Sequence, residues 1–380
     1  MWWSAQAHST PSNSSLTPWQ DFDDCPSVAA FGLFPTGMKT LLSLVLVSAS
    51  LSACAGEWKQ LPSLPDAEGF AGSFAGVSNG ALLVAGGSNF PGKKPWEDGA
   101  KVWYDTVFVL ERPDAKWKVA GHLSRPLGYG VSVTYKNGLI CTGGSNRDRH
   151  YADVFRLDWS NGKLTTTSLP LLPRPVANCC GAMVGDVLYV AGGIETPDAK
   201  ETINRAWQID LHSRAPRWAE IRTWPGGRRM LAVAAGFQDA FWLIGGVDLT
   251  AGSDGTAQRH YLTDAYRYDP LNGWKRIADL PHPVVAAPSP APFDKKAIYL
   301  LGGDDGIQVA TPPEKHRGFG KTSLRYDVVA DRWTEAGAIV APRATVPCVF
   351  WNNYWVLPGG EVRPGIRSPE VWSWTPGTME

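Results

Sequence analysis

Ala81-Leu82-Leu83-Val84-Ala85-Gly86-Gly87 is a run of five apolar residues closed by two glycines, and its recurrence along the chain decides the fold. Glycine pairs behind apolar runs return at Gly143-Gly144, Gly192-Gly193, Gly245-Gly246, Gly302-Gly303 and Gly359-Gly360, at intervals of 57, 49, 53, 57 and 57 residues. Self-similarity at such a period marks a repeat architecture. Each pair ends a hairpin. In the first unit Ser73 to Val77 is one strand, Ser78-Asn79-Gly80 the turn and Ala81 to Ala85 the next strand. The same plan runs from Val131 to Thr142 about Asn137-Gly138. A loop follows, then a strand with a Tyr-Asp signal and a tryptophan, as in Tyr268-Asp269 with Trp274 and Tyr326-Asp327 with Trp333. Gln208-Ile209-Asp210 with Trp218 is a looser copy. Four strands per unit, six times over, predict an all-β six-bladed propeller.

The composition agrees. With 40 glycines, 30 prolines and 18 tryptophans among 380 residues, and no long amphipathic helical pattern, the chain reads as many short strands joined by turns. The 36 basic and 36 acidic residues cancel, which argues against a nucleic-acid binder acting through bulk charge. Seven histidines are scattered without ligand spacing, so no metal is expected. Cys141, Cys179, Cys180 and Cys348 fall in apolar runs and read as buried thiols. The repeat resembles the kelch motif, with an apolar strand, a glycine pair, and Tyr and Trp at set offsets. In it the glycines admit a neighbouring backbone and the tryptophan packs between blades.

The two ends explain themselves under this plan. Residues 1–37 contain no Lys or Arg and read as an extension upstream of a second start at Met38. Residues 38–53 carry a secretion signal, with Lys39 as the charged region and Leu41 to Leu51 as the apolar core. Leu51-Ser52-Ala53-Cys54 resembles a bacterial lipobox, which implies lipidation of Cys54. Ala53-Cys54-Ala55 also fits an ordinary cleavage site releasing a soluble protein. Either route predicts export, to the periplasm or to a lipid-anchored place in the cell envelope. The lipid would be the one membrane contact, since the apolar core is too short to span. Residues 54–380 form the propeller. After Val371-Trp372-Ser373-Trp374 too little chain remains for a last strand, and Trp58-Lys59-Gln60-Leu61-Pro62-Ser63-Leu64-Pro65 copies the fourth strand that begins at Trp274. The N-terminal strand is therefore expected to close blade six and remove the free edges of the ring.

A propeller gathers the residue after each glycine pair, and those entering each innermost strand, at one end of its channel. The first set is Ser88, Ser145, Ile194, Val247, Asp304 and Glu361. The second holds Arg125, Arg174, Arg229 and Arg343, with His282-Pro283 at the fifth position. A ring of arginines predicts attraction of a small anion. Long loops at residues 88–103, 247–265 and 304–323 are expected to wall the channel mouth. The densest chemistry lies in Val356 to Arg367, where Glu361 follows the sixth glycine pair and a Pro364-Gly365 turn folds Arg367 back toward it.

Several segments carry a closer resemblance. Gly72 to Phe90, with Trp96-Glu97, Lys101, Arg125 and Tyr129-Gly130-Val131-Ser132, is similar to the bacterial N-acetylneuraminate epimerase family, six-bladed kelch propellers that act as sialic acid mutarotases. Gly360 to Arg367 resembles that family's G-E-x-K-P-G-x-R loop, with Arg363 in place of the lysine. The segment order suggests a cyclically permuted branch. The resemblance implies interconversion of the anomers of N-acetylneuraminate or a related acidic sugar, with Glu361 as proton acceptor and Arg367 as a second catalytic residue. Asn89, Lys101, Tyr129 and Arg363, with Arg125, Arg174, Arg229, Arg343 and Asp304 from the channel sets, make up the expected substrate contacts. Mutarotation needs a base on the anomeric hydroxyl and a proton for the ring oxygen, which carboxylate and guanidinium groups supply without a cofactor. Two rivals are a non-catalytic propeller that binds an acidic glycan or a protein, and a copper radical oxidase, which the histidine pattern disfavours.

Overall fold

The apolar run before each glycine pair is the second strand of a blade, buried on both faces because a blade packs on either side. The computed structural model describes residues 56–377. The upstream extension, the signal sequence and Cys54 lie outside the described residues.

Blade one is an antiparallel sheet of Phe74–Ser78, Ala81–Ala85, Thr106–Leu110 and Lys118–His122. Blades two to four repeat it from Val131–Tyr135 to Lys163–Ser168, Cys180–Val184 to Trp218–Ile221, and Val233–Phe237 to Gly273–Ile277. Blade five keeps only Ala297–Leu300, Thr322–Asp327 and Arg332–Ala338 as regular strands. Its innermost segment carries Pro288, Pro290 and Pro292, and a chain lacking donors at alternate positions cannot complete a ladder. Blade six comprises Val349–Trp351, Tyr354–Pro358, Val371–Thr375 and, from the other end of the chain, Glu57–Leu61. Trp58 lies opposite Trp374 and Leu61 opposite Val371, the closure that the tryptophan copy predicted.

Hairpin turns differ in one detail. Blade one turns at Asn79-Gly80, as expected, whereas blade two turns at Lys136-Asn137 and places Gly138 inside the strand. At that place a Cβ on residue 138 would meet the guanidinium of Arg156 at 2.3 Å.

Adjacent blades share cores. Phe74, Leu83 and Val107 of blade one pack with Leu139, Cys141 and Leu157 of blade two, and Leu61 and Val371 of blade six pack with Leu82 and Val84 of blade one. The tryptophans latch the blades together. Trp117, Trp218 and Trp333 donate their indole N–H to the carbonyls of Pro62, Pro170 and Ala278, each just past the fourth strand of the preceding blade. Tyr268 and Trp274, paired across strands, have ring centroids 5.0 Å apart, and Tyr326 and Trp333 lie 4.9 Å apart. Cys141, Cys180 and Cys348 are buried thiols and Cys179 is partly covered.

The glycine pairs act at the channel. Both members of all six pairs have positive φ, between 57° and 106°, a conformation that costs glycine little. The second member's N–H then points at the carbonyl of the segment entering the next blade. Six such bonds, from Gly87 to Leu127 through Gly360 to Phe70, measure 2.7 to 3.0 Å. A second ring lies inside the first. Gly72, Tyr129, Asn178, Leu231, Ala286 and Thr345 all have left-handed φ, and each N–H donates to the carbonyl of the previous member, Gly72 to Thr345, at 2.7 or 2.8 Å. Five of the six are not glycine, and such strain persists only where the surroundings over-determine it. The closed ring of bonds supplies that determination.

Candidate functional site

The inner ring includes Tyr129, Asn178 and Thr345, of which Tyr129 and Thr345 meet the loop from Glu361 to Arg367. That loop is a small hairpin of Glu361–Arg363 and Ile366–Arg367, with Glu361 directly opposite Arg367. Its turn is tight for a steric reason: Gly365 has φ +79°, and a Cβ there would meet Pro95 and Trp96 of the blade-one loop at 3.0 Å.

Glu361 and Arg367 are 3% and 7% exposed. Their charged ends approach to 2.7 Å, Nη1 to Oε1. The other carboxylate oxygen accepts from the Thr345 hydroxyl at 3.3 Å, and Oε1 from the Gly365 N–H at 3.4 Å. Arg367 reaches on across the closing point of the ring, with Nε 3.4 Å from the Ser88 carbonyl and Nη2 3.4 Å from the Tyr129 hydroxyl. Its guanidinium lies 4.6 Å from the centre of the Phe90 ring. Burial works against the charge on Arg367, and Glu361 and Tyr129 outweigh it, holding its pKa above the ordinary value.

Tyr129 shares a hydrogen bond of 2.8 Å with Ser88 Oγ. The Lys101 ammonium sits 4.0 Å over its ring and 4.7 Å over that of Trp103. Burial pushes the Lys101 pKa down, opposed by Tyr129 and assisted by Arg367. At Tyr129 burial pushes up, but Lys101 and then Arg367 pull harder, and the phenol ends below its ordinary 10.0.

Lys101 and Tyr129 form one end of a cavity of about 260 Å³ that also meets Trp103, Arg147, Asn178, Lys200 and Arg259. Its size is that of a single small molecule. The lining carries four cations, Lys101, Arg147, Lys200 and Arg259, against Asp198, an excess of the sign that draws anions.

The arginines read as its source stand elsewhere. Arg125 pairs with Asp153 at 3.2 Å, Arg229 with Asp264 at 2.7 Å and Arg343 with Glu370 at 2.6 Å. Each acid directly precedes the third strand of the blade that its arginine enters. Arg229 also donates to the Gly245 carbonyl at 2.9 Å. In blade three the matching position is Arg205, and Arg174 turns instead to Glu195 at 3.0 Å. These side chains brace blades, and the cavity lining includes none of the four.

Other expected contacts are also committed. Asn89 donates to Asp66 and to the Gly69 carbonyl and accepts from Tyr104, which ties the blade-one loop to the segment following the closing strand. Asp304 accepts from Tyr261 at 2.7 Å and from the Gly306 N–H at 3.0 Å, and burial raises its pKa. Arg363 donates to the Glu314 carbonyl at 2.9 Å and lies over Trp96. Of the three long loops, 88–103 and 247–265 reach the cavity, whereas 304–323 instead braces the Glu361 hairpin through that carbonyl. Sequence reasoning did not single out Asn178, Thr345, Arg147, Lys200 or Arg259. Asn178 could have been found by its offset, since it stands two residues before its innermost strand just as Tyr129 does.

A profile of the N-acetylneuraminate epimerase family matches residues 37–166 and 169–307. The chain belongs to the N-acetylneuraminate epimerase family. The matched residues end before the Glu361 hairpin, so the geometry of that loop stands on its own. The N-acetylneuraminate epimerase of Haemophilus influenzae strain PittEE is 36% identical over 124 residues, 29% of this chain and 32% of the relative. That of Yersinia enterocolitica is 39% identical over 126 residues, 28% of this chain and 31% of the relative. The matched segment thus spans about a third of each epimerase. The solved structure of YjhT superposes with a TM-score of 0.58 at 16% identity, covering 81% of this chain and 95% of that one. That likeness shows the propeller fold.

Proposed function

We propose that this chain is a mutarotase that interconverts the α and β anomers of N-acetylneuraminate or a closely related sialic acid. The observation that carries the proposal is the Glu361–Arg367 pair, held against Tyr129 beside a cation-lined cavity, in a chain of the epimerase family. In this reading the cavity cations attract the sugar's carboxylate. Arg367, able to bind a carboxylate or a carboxylate-bearing sugar through its fork of donors, swings from Glu361 toward the substrate. Glu361, released, takes the proton of the anomeric hydroxyl, the pyranose opens to the keto acid, and reclosure on the other face gives the second anomer.

Glu361→Gln keeps the shape of the side chain and removes the base. A one-dimensional NMR time course started from fresh α-anomer is expected to show wild type hastening the approach to anomeric equilibrium, and the variant losing ~10²-fold or more of that acceleration. Equal rates in the two proteins would remove Glu361 from the reaction. Acceleration absent from wild type would favour a receptor that only holds the sugar.

The sequence signals also support a proposal of export, with Cys54 lipidated after cleavage and the enzyme held in the cell envelope. Mass spectrometry of the mature N-terminus tests it, and an unmodified Cys54 or a free downstream terminus would refute the anchor.

A further inference from the structure

Ring opening moves two protons, and Glu361 accounts for one. The second must reach the ring oxygen, which shares a carbon with the anomeric hydroxyl, so its donor has to stand close to Glu361 without pairing with it. Tyr129 has that position. Arg367 touches both groups, Glu361 through Nη1 and the Tyr129 hydroxyl through Nη2, so one guanidinium separates acid from base. Tyr129 also lines the cavity, whereas the carboxylate is covered by Arg367. Its backbone is strained, with φ at 63°, and the inner ring of hydrogen bonds holds it there. A bulky residue kept in a left-handed conformation at the mouth of a pocket is strain stored where precision of placement matters.

We propose that Tyr129 is the acid that protonates the ring oxygen, with Lys101 the positioning residue that stabilises its phenolate. The inference rests on the mutarotase reading above. In the opening step Glu361 takes the proton of the anomeric hydroxyl, and the bond from the anomeric carbon to the ring oxygen breaks. The bonding pair passes to that oxygen, which takes the proton of Tyr129. The site then holds an open keto acid with a free hydroxyl, a protonated Glu361 and a Tyr129 phenolate. Reclosure reverses the traffic: the phenolate recovers its proton from the hydroxyl as that oxygen attacks the other face of the carbonyl, and Glu361 returns its proton to the carbonyl oxygen. Acid and base are both regenerated.

The charges facing Tyr129 suit this role. Lys101 over the ring and Arg367 at the hydroxyl favour the phenolate, Glu361 opposes it, and Ser88 hydrogen-bonds without charge. The acid must be protonated to act, so activity falls as pH rises through the pKa of Tyr129, which the cations place below the ordinary tyrosine value. Removal of Lys101 raises that pKa and moves the alkaline limb of the pH profile upward.

The test compares wild type, Glu361→Gln, Tyr129→Phe and Lys101→Met in the NMR mutarotation assay across pH, with circular dichroism to confirm folding. Tyrosinate absorbance is titrated in the same proteins. Tyr129→Phe is expected to lower kcat ~10²-fold with little change in KM. Lys101→Met, which also removes one of the cavity cations, is expected to raise KM and to shift the alkaline limb of the kcat profile upward. In the ultraviolet titration one tyrosine, absent in Tyr129→Phe, should ionise below the rest in wild type and rejoin them in Lys101→Met. Should Tyr129→Phe misfold, the moving limb and the titration carry the test. A wild-type kcat in folded Tyr129→Phe, a loss confined to KM, or a stationary alkaline limb in Lys101→Met would overturn the proposal while leaving Glu361 and the mutarotase reading intact. Abolished activity in Lys101→Met with an active Tyr129→Phe would make the lysine the acid instead. An inactive wild type would sink the mutarotase reading and this proposal with it.

Discussion

Arg229→Met separates a blade brace from a substrate contact. The side chain is 0% exposed, its Nη2 lies 2.7 Å from Asp264 and its Nη1 2.9 Å from the Gly245 carbonyl, and Trp224 and Tyr266 flank the guanidinium at 5.5 and 5.4 Å. Methionine keeps much of the stem and deletes both bonds. Asp264, 16% exposed, is left with the Tyr266 hydroxyl at 2.6 Å. Removing one partner of a buried pair costs about 3–5 kcal/mol. At roughly 1.5 °C per kcal/mol for a domain of this size, Tm should fall by ~5–7 °C. KM for the proposed sugar substrate, measured well below that temperature, should stay within about twofold, because Arg229 does not line the cavity. The pH dependence has a definite sign. Burial raises the Asp264 pKa, Arg229 lowers it more, and the folded value lies below the ordinary 3.8. A carboxyl whose folded pKa is depressed contributes stability above its unfolded pKa and loses it as pH falls through the folded one. The gap in Tm between wild type and variant should therefore be constant near neutrality and close below about pH 4. Thermal melts by circular dichroism over that range, with anomer kinetics at neutral pH, decide the matter. An unchanged Tm with a KM raised tenfold or more would refute the structural assignment and return Arg229 to the substrate.

Two further outcomes follow from the same geometry. Reversing two exposed cavity cations together, Arg147→Glu with Lys200→Glu, should raise KM for an acidic sugar roughly tenfold at low ionic strength, with the difference shrinking as salt is added. A salt-independent KM in wild type would argue against electrostatic capture. Leu61→Asp places a carboxylate in the core that joins blade six to blade one and should cost at least ~3 kcal/mol. It should also lower activity in the protein that remains folded, a loss that a purely global effect on stability would not produce.

The fold was legible because its signals are local and repeated. A glycine pair, a two-residue turn or a tryptophan on a fourth strand can each be recognised from a few neighbouring residues, and their recurrence reinforces one reading. The site has no such redundancy. Arg125, Arg174, Arg229 and Arg343 recur near the period, which is why they read as a ring, but recurrence fixes a residue's place on the blade and leaves its direction open. The missing signal was the partner: an acid one position before the third strand, present as Asp153, Asp264 and Glu370 and replaced by Arg205 in blade three. Where that acid is lost, the arginine loses its brace and turns outward to Glu195. Lys200 and Arg259 had no repeat to reveal them, since both lie outside the four strands of their blades, where the period marks no position.

Glu361 and Arg367 were legible for the opposite reason, because their chemistry is dense within one short loop. Their geometry, however, depends on the meeting of the chain's distant parts. Arg367 bonds the Ser88 carbonyl and the Tyr129 hydroxyl of blades one and two, and Thr345 of blade six donates to Glu361 while its own carbonyl accepts the Gly72 N–H that begins the inner ring. The Thr345–Glu361 bond lies within blade six, and the others join that blade to blades one and two across the closure that Glu57–Leu61 makes by pairing with Val371–Thr375. An open ring would still carry all six glycine pairs and most of its interblade cores, yet it would hold Glu361 and Tyr129 at no fixed separation. In the proposed mechanism the spacing of Glu361 and Tyr129 is a property of the closed ring, and it is the closure, more than any single blade, on which that proposal depends.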